Sequence, residues 1–187
     1  LLPIFVKGTL GGEAFMFGVL SAATAIGAFT GAMLLASRRS VLGLGKLIPA
    51  MLTVFGVGLM LLGLSRTVWI AFPLMVVMGL GGMLTMASSN TLLQTIVDED
   101  NRGRVMSFYT MSVMGMTPFG SLLGGVLANH FGITDTYLLG GAACVIGAIW
   151  FYKSLPTLRH YVRPIYREKG ILPSVAKGLE SAAELTV

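Results

Sequence analysis

Charged residues in this chain fall into clusters that are separated by long uncharged runs. Twenty-four uncharged residues lie between Glu13 and Arg38, and nineteen lie between Lys46 and Arg66. Three further runs occupy 67–97, 105–134 and 136–152. A helix needs about 20 apolar residues, within a range of about 17–25, to cross the hydrocarbon of a bilayer. The pattern therefore predicts five membrane-spanning helices, at 14–36, 47–65, 70–97, 105–129 and 137–153.

The residues within these runs favour helices over strands. A transmembrane strand would show about ten residues of alternating polarity, whereas these runs are apolar on all sides and rich in Leu, Met, Ala and Gly. The whole chain is 55% hydrophobic and 11% charged, against about a quarter charged in an ordinary soluble domain. The sequence predicts an all-α, polytopic transmembrane bundle that is surrounded by the lipid bilayer.

Basic residues are distributed unequally between the two sides of the predicted spans. Eleven of the thirteen Lys and Arg residues lie on one side, in the 37–46 and 98–104 loops and in the tail from Lys153. Lys7 and Arg66 lie on the other side. Since basic residues are retained on the cytoplasmic side, the C-terminus is predicted to be cytoplasmic. This topology explains the net charge of +5, and nucleic-acid binding is not expected.

The two ends of the chain differ from its middle. Residues 1–6 are apolar, lack an initiator Met and are too short to cross a membrane, so we expect them to be the end of a sixth, truncated span. The chain is then expected to be truncated. Residues 156–187 form a basic tail, for which an anionic membrane surface and a solvated, disordered state are equal alternatives.

Titratable side chains are absent from the midplane of every predicted span. An intramembrane enzyme needs a converging set of titratable or metal-binding groups, so we expect no enzyme and assign no catalytic residue. Cys144 is the only cysteine, and neither His130 nor His160 has a partner at ligand spacing. No metal site and no other cofactor are therefore expected.

Glycines four residues apart occur in two of the predicted spans. They are Gly27 and Gly31 in the first span and Gly120 and Gly124 in the fourth. Membrane helices associate through close backbone approach at small residues, so these glycines are predicted to be packing positions. The two spans cross the membrane in opposite directions, as an inverted three-plus-three repeat would. Generic helix packing explains the glycines equally well.

Pro118 is the candidate for a bend. It removes a backbone donor from the interior of the fourth span, and its ring collides with the carbonyl of Met114. A kink is predicted there, with Thr117 able to satisfy part of the freed backbone.

The cytoplasmic half of the third span, residues 85–94, is too polar to face lipid on all sides. Asn90 and Gln94 share one helix face, and Met83 and Met86 continue it toward the midplane. A water-filled cavity would satisfy the two amides. These four residues are therefore a candidate substrate path, with hydrogen bonding between helices as the alternative.

Two segments carry a resemblance to a known family. Asp98-Glu99-Asp100-Asn101-Arg102-Gly103-Arg104 resembles the acidic, R-G-R-containing loop between helices ten and eleven of major facilitator superfamily transporters. Residues 117–125 resemble their eleventh helix, particularly in the transmembrane secretion effector and enterobactin-exporter-like branch. The resemblance covers residues 1–155. It implies the C-terminal six-helix half of that fold, with the five spans as helices eight to twelve.

The resemblance also implies a function. It indicates an alternating-access exporter in the bacterial inner membrane, acting on a small amphipathic molecule that is siderophore-like or drug-like. The missing N-terminal half would form the other wall of the cavity and carry any proton-coupling carboxylate. Two alternatives stay open, namely uptake of a small solute and a membrane scaffold that transports nothing.

Charged residues of two cytoplasmic loops form a candidate gate. Arg38 and Arg39 end the first span on the same membrane side as Asp98, Arg102 and Arg104. Ion pairs between these loops would form in one transport state and break in the other. The acidic residue that the family often carries beside the two arginines is missing here. The rule that retains positive charge in the cytoplasm also explains these arginines.

Overall fold

The computed structural model of the chain describes residues 2–8, 14–38 and 40–168. These ranges contain the helices α1 (Leu2–Gly8), α2 (Ala14–Ala36), α3 (Leu44–Leu64), α4 (Val68–Ile96), α5 (Glu99–Phe131) and α6 (Ile133–Glu168). No strand occurs among these residues. Helices α2 to α6 are each long and apolar enough to cross a membrane. The prediction of an all-α bundle with five spans is confirmed.

Most of the helices extend beyond the charge-free runs that predicted them. α3 begins at Leu44 rather than at 47, and α5 begins at Glu99 rather than at 105. Charge-free length measures the part of a helix in hydrocarbon, whereas the helix itself continues until its backbone is interrupted. α6 likewise continues to Glu168. The predicted domain boundary at 155 lies within this helix and stays a prediction, and residues 169–187 of the predicted tail lie outside the described residues.

Local backbone geometry separates successive helices. Gly43 precedes α3 with φ 89°, and Gly132 joins α5 to α6 with φ 87°. Both angles lie in a region that side chains with a Cβ rarely adopt, so glycine is required at these two turns. Asp98 has an extended backbone before α5, and Glu99 and Asp100 follow in the first turn. Negative charge there is favourable because a helix N-terminus is partly positive.

Helices α2 and α4 pack through direct contact of their backbones. A Cβ added to Gly27 would overlap the carbonyl oxygen of Val76, and one added to Gly79 would overlap that of Thr24. A Cβ on Gly31 would lie 3.1 Å from the Leu80 carbonyl oxygen. Helices associate in a bilayer through such close approach, because lipid tails are as apolar as the side chains and no hydrophobic effect drives the helices together.

Helix α3 lies between α4 and α6. A Cβ on Gly81 of α4 would lie 3.0 Å from the Met51 carbonyl oxygen of α3. On the other side of α3, a Cβ on Gly56 would lie 2.8 Å from the carbonyl oxygen of Gly141 in α6. The packing order is therefore α2, α4, α3, α6.

An apolar cluster joins several helices at the membrane side opposite the 37–43 loop. It includes Phe5 of α1, Leu20 of α2, Leu62 of α3, Met75 of α4 and Tyr137 of α6. The rings of Phe5 and Tyr137 meet edge to face with their centroids 5.5 Å apart, a favourable arrangement for aromatic pairs. This cluster anchors the predicted outer end of the bundle.

Helix α5 is the least covered of the spanning helices. Gly124 is its buried residue, while Phe108, Met111 and Phe119 are each about 70% exposed. Its polar link to α4 is the Tyr109 hydroxyl, which donates to the Met86 carbonyl oxygen at 3.3 Å. The described chain therefore leaves most of the apolar surface of α5 free.

Pro118 lies inside α5, which continues as one helix from Glu99 to Phe131. The Thr117 hydroxyl donates to the carbonyl oxygen of Val113 at 2.9 Å. The carbonyl that loses its amide partner to proline is that of Met114, four residues before Pro118. Thr117 therefore does not satisfy the freed group as expected, and the kink stays a prediction.

Candidate functional site

The hydroxyls in the polar half of α4 mostly bond to their own helix. Thr85 donates to the Gly81 carbonyl oxygen at 2.8 Å, and Ser89 donates to that of Thr85 at 2.8 Å. These groups therefore need no water-filled cavity. Ser88 differs, because its hydroxyl is fully buried and has no hydrogen-bond partner among the described residues. Leaving such a group unpaired costs about 1–3 kcal/mol.

Asn90 and Gln94 lie on one face of α4 and bond to each other. The Gln94 side-chain amide donates to the Asn90 side-chain oxygen. Asn90 is half-buried and Gln94 is exposed. Each amide has further hydrogen-bonding capacity, since Asn90 keeps its two donors and Gln94 keeps its oxygen. A polar ligand can therefore bond to the pair without breaking it.

The two methionines of the predicted path face different neighbours. Met83 lines a cavity beside the end of α2. Met86 is half-exposed, and its backbone carbonyl accepts the Tyr109 hydrogen bond from α5. Residues three apart on a helix differ by about 60° in direction, which is enough to separate them. The structure therefore places Met83 at the cavity and Met86 at the contact with α5, while Asn90 and Gln94 do not line the cavity.

The cavity has a volume of about 400 Å³ and lies where α2 ends and α3 begins, beside residues 83–91 of α4. The chain between α2 and α3 closes one side of it. Its walls are mostly small or apolar, and Arg38 contributes the charge. The lining residues are Ala32, Leu35, Ala36, Arg38, Ser40, Val41, Leu44, Met83, Ala87 and Thr91.

Sequence reasoning missed most of this cavity, and it missed Tyr109. A signal for the cavity existed in α4, because Met83, Ala87 and Thr91 recur at four-residue spacing and so share a face. The sequence of α2 gave no comparable signal for the cavity, since Ala32 and Ala36 also suit a lipid-facing position. The signal for Tyr109 was its hydroxyl within an apolar span, since a buried tyrosine hydroxyl usually has a hydrogen-bond partner.

The predicted gate residues are only partly brought together. Arg102 lies 3.8 Å from Glu99 on the same helix, and an exposed pair of this kind contributes about 0–1 kcal/mol. In the described part of the chain, Arg38 and Asp98 do not form an ion pair. Arg104 is exposed, and Arg39 lies outside the described residues. The gate stays a prediction.

The predicted packing glycines occupy two kinds of surroundings. Gly27 and Gly31 lie in the interface with α4. Gly124 is buried, whereas a Cβ on Gly120 would meet open space in the described chain. The shared spacing therefore corresponds to a formed interface in α2 and to a largely uncovered face in α5.

Metal ligands do not gather in the part of the chain that the structure describes. No three His, Cys, Asp or Glu side chains there are close enough to hold a metal ion. The polar groups of the site are amides, hydroxyls and one guanidinium. Such groups bind ligands by hydrogen bonds and charge.

Comparison with known proteins gives a consistent result. The family described as "Transmembrane secretion effector" matches residues 1–164. The Staphyloferrin A transporter of Staphylococcus aureus is 28% identical over 152 residues, which cover 81% of this chain and 38% of that protein. The class C tetracycline resistance protein of Escherichia coli is 28% identical over 102 residues, or 54% of this chain and 24% of that protein.

A third relative agrees with the first two. The multidrug resistance protein MdtG of Dickeya zeae is 29% identical over 113 residues, which cover 60% of this chain and 26% of that protein. The chain thus spans about a quarter to two fifths of the length of these relatives. No solved structure matches it significantly.

Proposed function

Because the chain belongs to the transmembrane secretion effector family of major facilitator superfamily transporters, we propose that it forms the C-terminal half of an alternating-access exporter. The match over residues 1–164 carries this proposal. The relatives are named for staphyloferrin A, for tetracycline and for multiple drugs. Small amphipathic molecules, siderophore-like or drug-like, are the substrates that these names support. The protein then lies in a bacterial inner membrane with its C-terminus in the cytoplasm.

The substrate path in this half follows α4. Asn90 and Gln94 offer free donors and an acceptor to the polar part of a ligand. Met83 and Met86 offer flexible, polarisable side chains that repack around apolar parts of different shape. The rest of the polypeptide supplies the opposite wall and the coupling carboxylate. Alternating access then exposes this face of α4 to one side of the membrane at a time.

The first test replaces the amide pair. A single Asn90→Leu or Gln94→Leu change also leaves the other amide without its present partner, so the double variant is needed beside the two single ones. We expect each single variant to weaken substrate affinity by about 1 kcal/mol, or about fivefold. Membrane insertion should be unchanged, since no charge is added. Transport kinetics in membrane vesicles give the affinity.

Asn129→Leu is the matched control, because Asn129 is an exposed amide near the C-terminal end of α5. It should leave the affinity as it is. If the three path variants transport like Asn129→Leu, the amides are structural and the path lies elsewhere. Comparing inside-out with right-side-out vesicles gives the direction. Accumulation in the right-side-out preparation alone would indicate uptake.

A further inference from the structure

We propose that the cavity between the end of α2, the start of α3 and residues 83–91 of α4 binds one anionic phospholipid from the cytoplasmic leaflet. The cavity measures about 400 Å³, which is enough for a headgroup and the first part of an acyl chain but not for a whole lipid. The remainder of the acyl chains would stay in the bilayer. Neither Asn90 nor Gln94 lines this site, and Met83 is the residue that it shares with the proposed substrate path.

The lining matches the chemistry of such a lipid. Leu35, Leu44 and Met83 give it apolar walls, and Ala32 and Ala87 leave room between them. Such a surface accommodates hydrocarbon. Thr91 and Ser40 add hydroxyls, and the exposed guanidinium of Arg38 supplies positive charge. An apolar pocket with a cation is complementary to a molecule that has an acyl chain and a phosphate.

The charge of Arg38 is available to such a ligand. Within the described part of the chain, Arg102 forms an ion pair with Glu99, whereas Arg38 forms none with a carboxylate. A guanidinium binds phosphate through paired, charge-assisted hydrogen bonds. Arg38 is therefore free to hold the headgroup.

The level of the cavity in the membrane favours a lipid over a soluble anion. It lies where α2 ends and α3 begins, on the side that the basic residues mark as cytoplasmic. Lipid phosphates occupy that level at high local concentration, and basic pockets between helices on this side bind anionic headgroups. A soluble phosphate would use Arg38 but would leave the apolar walls unfilled.

The test is lipid retention by the intact protein, measured by native mass spectrometry after extraction from nanodiscs. We expect phosphatidylglycerol to be retained about fivefold more than phosphatidylcholine, since one basic residue contributes about 1 kcal/mol to an anionic lipid. Arg38→Gln should remove this preference. Arg104→Gln should keep it, because Arg104 is exposed on the same membrane side but does not line the cavity. Ala87→Leu should reduce retention of both lipids by filling the cavity.

Several results would overturn the proposal. Equal retention of the two lipids would remove the role of charge, and equal loss in Arg38→Gln and Arg104→Gln would indicate diffuse attraction to the surface. Displacement of the lipid by soluble glycerol phosphate would make the site a phosphate pocket. Absence of any bound lipid would mean that the rest of the polypeptide fills the cavity. If Ala87→Leu does not fold, Ala36→Leu tests the same volume at an exposed edge.

Discussion

Glycine positions decide how closely the helices of this bundle approach one another. Gly27 and Gly79 each lie against the backbone of the opposite helix, so that even a methyl group would overlap it. The four-residue spacing of Gly27 and Gly31 led to the prediction of a packing face in α2, and both glycines lie against α4. The same spacing in Gly120 led to the same prediction, yet that residue meets open space in the described chain. Spacing reveals a face of small residues, but it does not reveal which helix covers it.

The first prediction at this scale concerns Gly27. Gly27→Leu should lower the free energy of unfolding by about 3 kcal/mol, because the α2 and α4 backbones must separate to admit the side chain. Gly18→Leu should change it by less than about 0.5 kcal/mol, since Gly18 lies in the same helix and faces open space. Thermal unfolding in detergent measures both. Gly43 is a poor control, because its φ of 89° would strain any larger residue.

Equal unfolding temperatures for Gly27→Leu and Gly18→Leu would contradict the α2–α4 contact. Gly120→Leu is informative beside them. In the described chain it should behave like Gly18→Leu, so a large loss of stability in the intact protein would show that the remaining polypeptide packs on α5.

At the scale of the elements, charges and turns set where each helix begins and ends. Runs without charge located all five spans, because a lipid environment excludes charge from the hydrocarbon. They underestimated the length of α5, whose first turn carries the charged residues Glu99 and Asp100. The acidic segment also forms its ion pair within one helix, since Glu99 pairs with Arg102 of α5 rather than with a residue of another loop. Loop-to-loop pairing cannot be deduced from the side of the membrane alone.

The gate is tested by exchanging charges. Arg39→Asp should slow transport severalfold, because one exposed ion pair shifts an equilibrium by only about 0–1 kcal/mol. Adding Asp98→Arg should restore turnover if the two loops pair in one transport state. The effect should weaken as salt is raised, since exposed charges are screened. Turnover in vesicles at low and high salt gives the result.

The matched control adds Asp135→Arg instead of Asp98→Arg. Asp135 is an exposed carboxylate in the first turn of α6, at the opposite end of α5 from Asp98. Asp135→Arg should therefore not restore turnover. If neither second change restores turnover, Arg39 and Asp98 do not form a gate, and the arginine only sets the orientation of the span.

For the whole molecule, the order α2, α4, α3, α6 was the part that could not be predicted. The helices are apolar on most sides, so the pattern of each one gives no unique face for a neighbour. The number of spans needed only charge counts. Helix α5 remains mostly uncovered, and the chain spans 38% of the length of its staphyloferrin A transporter relative. Both facts support our proposal that a second half of the polypeptide covers this surface.

Substrate protection of a cysteine introduced on α4 tests the central claim most directly. Asn90→Cys is placed in the intact protein without other cysteines, with Cys144→Ala removing the one in this chain. A membrane-impermeant maleimide is then added to the cytoplasmic face of inside-out vesicles. We predict that the introduced thiol is labelled and that a transported amphipathic molecule slows its labelling, while labelling of Asn101→Cys, at an exposed position, is unaffected. Labelling that no siderophore-like or drug-like compound slows, in a protein that inserts normally, would contradict a transport path along α4.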